Sequence, residues 1–195
     1  DSDNSTYGGY GKDFQLYVTD GTLAGTSMIK EINVGGIEVS QFNSAIPHVW
    51  FNDVLYLKLD DGTDEHGSEL WRTDGTENGT TLVVDIRPGT MGNGEGYPSS
   101  PQYFTVFNDY MYFSATNASG QELWKTDGTV EGTSQVKDII PGTTGSNVRG
   151  IVPSNLDTSR LSYDKFAVMD DHFYFQVRTC TSGPCDNLWK SDGTE

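Results

Sequence analysis

Short apolar runs pair off along this chain around two-residue turns of asparagine and aspartate. Gln102-Tyr-Phe-Thr-Val-Phe107 and Tyr110-Met-Tyr-Phe-Ser-Ala115 flank Asn108-Asp109, Pro47 to Phe51 and Val54 to Leu59 flank Asn52-Asp53, and Lys165 to Met169 and His172 to Arg178 flank Asp170-Asp171. Aromatic and β-branched runs on either side of such turns predict hairpins. Each hairpin leads through a polar loop into a third run: Ser68 to Thr73, Glu122 to Thr126, and Leu188 to Ser191. The first two continue into a fourth, Thr81 to Ile86 and Ser134 to Ile139. In Val54-Leu-Tyr-Leu-Lys-Leu59, Tyr110-Met-Tyr-Phe113 and His172-Phe-Tyr-Phe-Gln-Val177 both alternating sets of side chains are largely apolar or aromatic. A two-layer sandwich would leave one set polar, so the pattern predicts sheets covered on both faces.

The third run is a repeated phrase. It reads Phe14-Gln-Leu-Tyr-Val-Thr-Asp-Gly-Thr22, Glu69-Leu-Trp-Arg-Thr-Asp-Gly-Thr76, Glu122-Leu-Trp-Lys-Thr-Asp-Gly-Thr129 and Asn187-Leu-Trp-Lys-Ser-Asp-Gly-Thr194. Its aspartates, Asp20, Asp74, Asp127 and Asp192, stand 54, 53 and 65 residues apart. A fixed period of this size signals a repeat architecture, and four antiparallel strands per period is the blade of a β-propeller. The expected fold is therefore all-β, with propeller-type blades repeating every 53 residues or so, in an incomplete ring or a segment of a longer array. Residues 1–33 form the trailing half of a blade, 34–86 and 87–139 two blades, and 140–195 an incomplete blade with a longer crossover and a cysteine loop.

The chemistry of the phrase reads first as a fold device. Asp-Gly favours a tight turn because glycine accepts positive φ and the aspartate accepts nearby backbone N–H groups. The threonines add hydroxyls to the same loop, and Trp71, Trp124 and Trp189, with Tyr17 in the first copy, supply apolar area for packing between neighbouring blades. The competing reading makes these loops cation or sugar sites, although each brings a single carboxylate where calcium takes six to eight oxygens. Asp60-Asp-Gly-Thr-Asp-Glu65 is richer, and Asp60, Asp61, Asp64 and Glu65 are candidate calcium ligands. No catalytic constellation is legible. His48, His66 and His172 are scattered, and the sequence holds no nucleophile elbow, phosphate loop or zinc-protease motif.

Twelve basic against 28 acidic side chains give a net charge of -16, which repels phosphate backbones and anionic headgroups, so neither nucleic acid nor a membrane surface is an expected partner. Cys180 and Cys185 are separated by a short stretch in which Gly183-Pro184 can turn the chain back, so a local disulfide is expected, which would imply an oxidising compartment. Asn4, Asn78 and Asn117 head N-glycosylation sequons. These features point to an extracellular or cell-surface chain whose secretory leader, if it has one, was removed or lies outside these residues.

The string E-L-W-[KR]-T-D-G-T-x-x-G-T followed by V-x-D-I, at 69–86 and 122–139 and more loosely at 14–32 and 187–195, resembles the E-L-W-x-T-D-G-T (hyalin-like) repeat of large secreted and cell-surface proteins. The resemblance implies a propeller-like extracellular repeat and supplies no catalytic residues. The expected function is a non-enzymatic structural or adhesion module without a cofactor, contacting adjoining repeats or copies of itself, in a filament among other forms. The alternatives are a carbohydrate- or calcium-dependent binding module, or part of a secreted hydrolase.

Overall fold

Strand follows strand through the whole described chain, and every pairing between them is antiparallel. The computed structural model describes residues 14–32, 46–60, 65–142, 145–151, 165–178 and 186–194. Sheet I holds β1 (Phe14–Val18) and β2 (Ser27–Ile32). Sheet II is the meander β3 (His48–Phe51), β4 (Val54–Leu59), β5 (Glu69–Thr73) and β6 (Thr81–Val84). Sheet III repeats it with β7 (Gln102–Phe107), β8 (Tyr110–Asn117), β9 (Gly120–Thr126) and β10 (Ser134–Lys137). Sheet IV holds β11 (Ala167–Met169), β12 (His172–Arg178) and β13 (Asp186–Ser191).

The hairpins turn where the Asn and Asp pairs predict. Asn52, Asp53, Asn108 and Asp170 all take positive φ, between 50° and 60°, the left-handed region in which these two residue types are least penalised. The fourth strands stop earlier than the apolar pattern suggests, at Val84 and Lys137 rather than Ile86 and Ile139. The reason is local: the amides of Ile86 and Ile139 donate to the carboxylates of Glu69 and Glu122 instead of continuing the ladder.

Consecutive sheets share a core. One cluster joins Val49, Phe51, Tyr56, Leu70 and Val83 of sheet II to Phe104, Met111, Phe113 and Ala115 of sheet III. A second joins Phe107, Tyr112, Leu123 and Val136 of sheet III to Phe166, Phe173, Phe175 and Val177 on and beside sheet IV. A third sets Leu57, Leu59, Trp71 and Leu82 of sheet II against Leu16 of sheet I. The two faces of sheet III thus feed two different cores, which explains why β8 is buried at five successive positions while β12 alternates. Between sheets II and III, β3 and β7 lie beside each other.

Candidate functional site

The Asp-Gly-Thr loops are built alike to within a few tenths of an ångström. In sheet II, Asp74 Oδ1 accepts the amide of Thr76 at 2.9 Å and its hydroxyl at 2.7 Å. Thr76 Oγ1 in turn accepts the Gly79 amide at 3.0 Å, and Thr80 Oγ1 donates to the Thr76 carbonyl at 2.7 Å. Thr73 Oγ1 meets Thr80 Oγ1 across the loop at 2.7 Å and accepts the Gly75 amide at 3.1 Å. Asp20 with Thr19, Thr22 and Thr26, and Asp127 with Thr126, Thr129 and Thr133, repeat every one of these bonds. Asp192 repeats the first pair with Thr194, and Ser191 takes the place of the first threonine.

These bonds favour the ionised aspartates. Amide and hydroxyl donors hold all four below the usual aspartate range, the Thr22 amide foremost at Asp20 and the threonine hydroxyl foremost at Asp74, Asp127 and Asp192. The second glycine of the phrase is explained by the same geometry. A Cβ at Gly25, Gly79 or Gly132 would stand 2.0, 1.9 or 2.0 Å from Oδ1 of its loop's aspartate, so a side chain there would displace that carboxylate.

Each sheet also reaches over the loop of the next. The Tyr56 hydroxyl of sheet II lies 2.2 Å from where a Cβ on Gly128 would be, and Arg72 Nη1 donates to the Gly128 carbonyl at 3.1 Å. The Tyr112 hydroxyl of sheet III lies 2.3 Å from the same position at Gly193 and is 3.4 Å from its carbonyl. Sheet I makes the lesser version, Val18 Cγ2 resting 3.8 Å from the corresponding position at Gly75.

The glutamate that opens the phrase has a role its sequence position does not announce. Glu69 is wholly buried and accepts the Ser99 amide at 2.8 Å, the Ser99 hydroxyl at 2.5 Å and the Ile86 amide at 3.2 Å. Glu122, equally buried, accepts the Ser146 amide at 2.7 Å, its hydroxyl at 2.6 Å and the Ile139 amide at 3.1 Å. The carbonyls of the same serines accept the amides of Thr116 and Arg178 at the far ends of β8 and β12, at 2.8 and 3.0 Å. Glutamate and serine together clasp sheet II to sheet III and sheet III to sheet IV. Burial pushes Glu69 up to about 7, with the serine and isoleucine donors pulling part of the way back, and raises Glu122 by the same balance. The clue in the sequence was an acid recurring beside Leu-Trp at the same place in two copies of the phrase. Its partners stand 30 and 24 residues away, so spacing did not reveal them.

The other expected residues divide as follows. Trp71 is buried and Trp124 half-buried against the inter-sheet cores, their indole nitrogens without a hydrogen-bond partner, while Trp189 is 37% exposed. Lys30 Nζ sits over the Trp71 ring at 5.1 Å. Asn78 is exposed in its turn. Asn117 ends β8 rather than lying in the loop beyond it, and its Nδ2 donates to Gln135 at 2.9 Å. Cys180, Cys185, Asn4, Asp61 and Asp64 lie outside the described residues. Among the described residues no group of three His, Cys, Asp or Glu side chains could hold a metal ion, and no helix is long and apolar enough to cross a membrane. His48 bonds the Ile46 carbonyl at 2.7 Å and His172 contacts Asp171 at 2.5 Å, two separate local pairs. Compared with family models, curated proteins and solved structures, the chain matches none of them.

Proposed function

We propose that the chain is a non-enzymatic structural or adhesion module of an extracellular or cell-surface protein, its sheets the blades of a propeller-type array. One observation carries this reading: the side chains that recur, aspartate, threonine, glutamate and tyrosine, are engaged in holding their own loop or the neighbouring sheet. What the sequence repeats is then a rigid building element. The close approach of β3 and β7 supports a radial arrangement in which the first strand of each blade runs nearest the axis. The resemblance to the E-L-W-x-T-D-G-T repeat supports the location.

Calorimetry with chelator, with calcium and with a panel of glycans tests the reading. The expected result is an unchanged unfolding temperature throughout. A fall on adding EDTA or a rise with a glycan would replace the module by a binding domain, and turnover of a polysaccharide would replace it by a hydrolase. Electron microscopy tests the arrangement: first strands converging on an axis are expected, and sheets stacked flat would refute the blades.

A further inference from the structure

Sheets II and III each bury a forward face against their successor. In sheet II it is Phe51, Tyr56 and Leu70, in sheet III Phe107, Tyr112 and Leu123, all buried. The same places in sheet IV hold Met169, Tyr174 and Leu188, set by position after the hairpin turn and within the repeated phrase. Here Met169 is 58% and Leu188 66% exposed, and Tyr174 is half-buried.

The counterpart is at the other end. Of the four turn glycines that follow the repeat aspartates, Gly75, Gly128 and Gly193 are each met by a side chain of the preceding sheet. Gly21, with the same φ of +90°, has nothing within 4 Å of its Cβ position. Beside it Met28, on the face where its equivalent Leu82 packs against sheet I, is 48% exposed. The described chain therefore has one tyrosine without a loop and one loop without a covering side chain.

We infer that sheet IV docks onto sheet I of a second copy of this chain, Tyr174 covering Gly21 as Tyr56 covers Gly128. Lys190, the cross-strand partner of Tyr174, stands where Arg72 stands beside Tyr56 and donates to the Gly21 carbonyl. Its charge faces the Asp20 loop, as that of Arg72 faces the Asp127 loop. The contact pairs two different surfaces, so it is head-to-tail and propagates into a chain of copies unless the rotation closes a ring. Exposed apolar area on both surfaces supplies the driving force. The inference rests on the module reading above and names its partner.

Sedimentation velocity over a range of concentrations tests it, using the intact chain and the variants Leu188→Arg and Met28→Arg. Both residues are exposed within one copy, so neither substitution disturbs its fold, which circular dichroism verifies. The intact chain is expected to show a mass that rises with concentration, and each variant to associate about tenfold or more weakly. An equimolar mixture of the two variants pairs the intact surface of one with the intact surface of the other and is expected to stop at dimers. Tyr174→Ala weakens association in the same way. A folded chain that remains monomeric, association that either arginine leaves unchanged, or a mixture that fails to dimerise overturns the joint. Chelator and glycan indifference is read separately, so loss of the joint and loss of the module reading are distinguishable.

Discussion

Ser99 gives both its amide and its hydroxyl to the buried carboxylate of Glu69, at 2.8 and 2.5 Å, and its carbonyl to the next sheet. Three donors converge on that carboxylate, counting the Ile86 amide. Glu69→Ala leaves all of them buried and unpartnered, at about 1–3 kcal/mol each before relaxation, so a loss of about 3–5 kcal/mol in urea unfolding is expected. Glu69→Gln keeps the shape and one acceptor and costs less. Equal effects of the two would show that the clasp contributes only by filling space.

The pH dependence follows from the same group. Burial pushes folded Glu69 up to about 7 against an ordinary value of 4.5 in the unfolded chain, so between these values the folded chain holds a proton that the unfolded chain has released. That contribution is complete below 4.5 and is lost as pH rises through 7, by about 3 kcal/mol for a shift of this size. The loop aspartates act oppositely: held below 3.8, they stabilise the fold above that pH and lose their contribution as pH falls below it. Unfolding midpoints are expected to be higher at pH 5 than at pH 7.5; Glu69→Gln is expected to remove part of the difference, and Glu69→Gln combined with Glu122→Gln to flatten most of it. A slope that survives the double substitution would place the titrating groups elsewhere.

Gly79→Ala sets a methyl group 1.9 Å from the Asp74 carboxylate oxygen. Expelling that side chain from its loop is expected to cost about 1–3 kcal/mol. With Asp74→Ala already made the clash is gone, so the double variant should be more stable than the sum of the singles predicts, a coupling of about 0.5–3 kcal/mol. Strict additivity in chemical denaturation would separate the glycine from the aspartate.

Tryptophan exposure provides an optical test. Trp50 is 66% exposed and Trp189 37%, whereas Trp71 is buried. Iodide is expected to quench the first two readily and Trp71 hardly at all. Trp71→Ala should destabilise the fold by about 3–5 kcal/mol, the range for a large aromatic truncated in a core, and Trp189→Ala by clearly less. Quenching of Trp71 that a glycan protects against would favour a sugar-stacking platform.

The strands and their grouping into sheets are legible along the chain. Asn52-Asp53 and Asn108-Asp109 select tight hairpin turns through local backbone preference, and two-sided apolar runs such as Val54–Leu59 demand cover on both faces. The glycine of each Asp-Gly was legible for the same reason, since a turn is a short-range property. What the repeated glutamate and tyrosine do depends on packing between sheets. Glu69 and Glu122 find Ser99 and Ser146 at unequal separations, through crossovers of different length, and Tyr56 meets Gly128 only because two sheets lie face to face. The second glycine, Gly79, was legible as a bend, but its lack of space for a methyl group follows from where the Asp74 side chain comes to rest. Hydrogen-bonded turns are written in neighbouring residues; contacts between sheets depend on how whole surfaces pack, which no fixed spacing along the chain records.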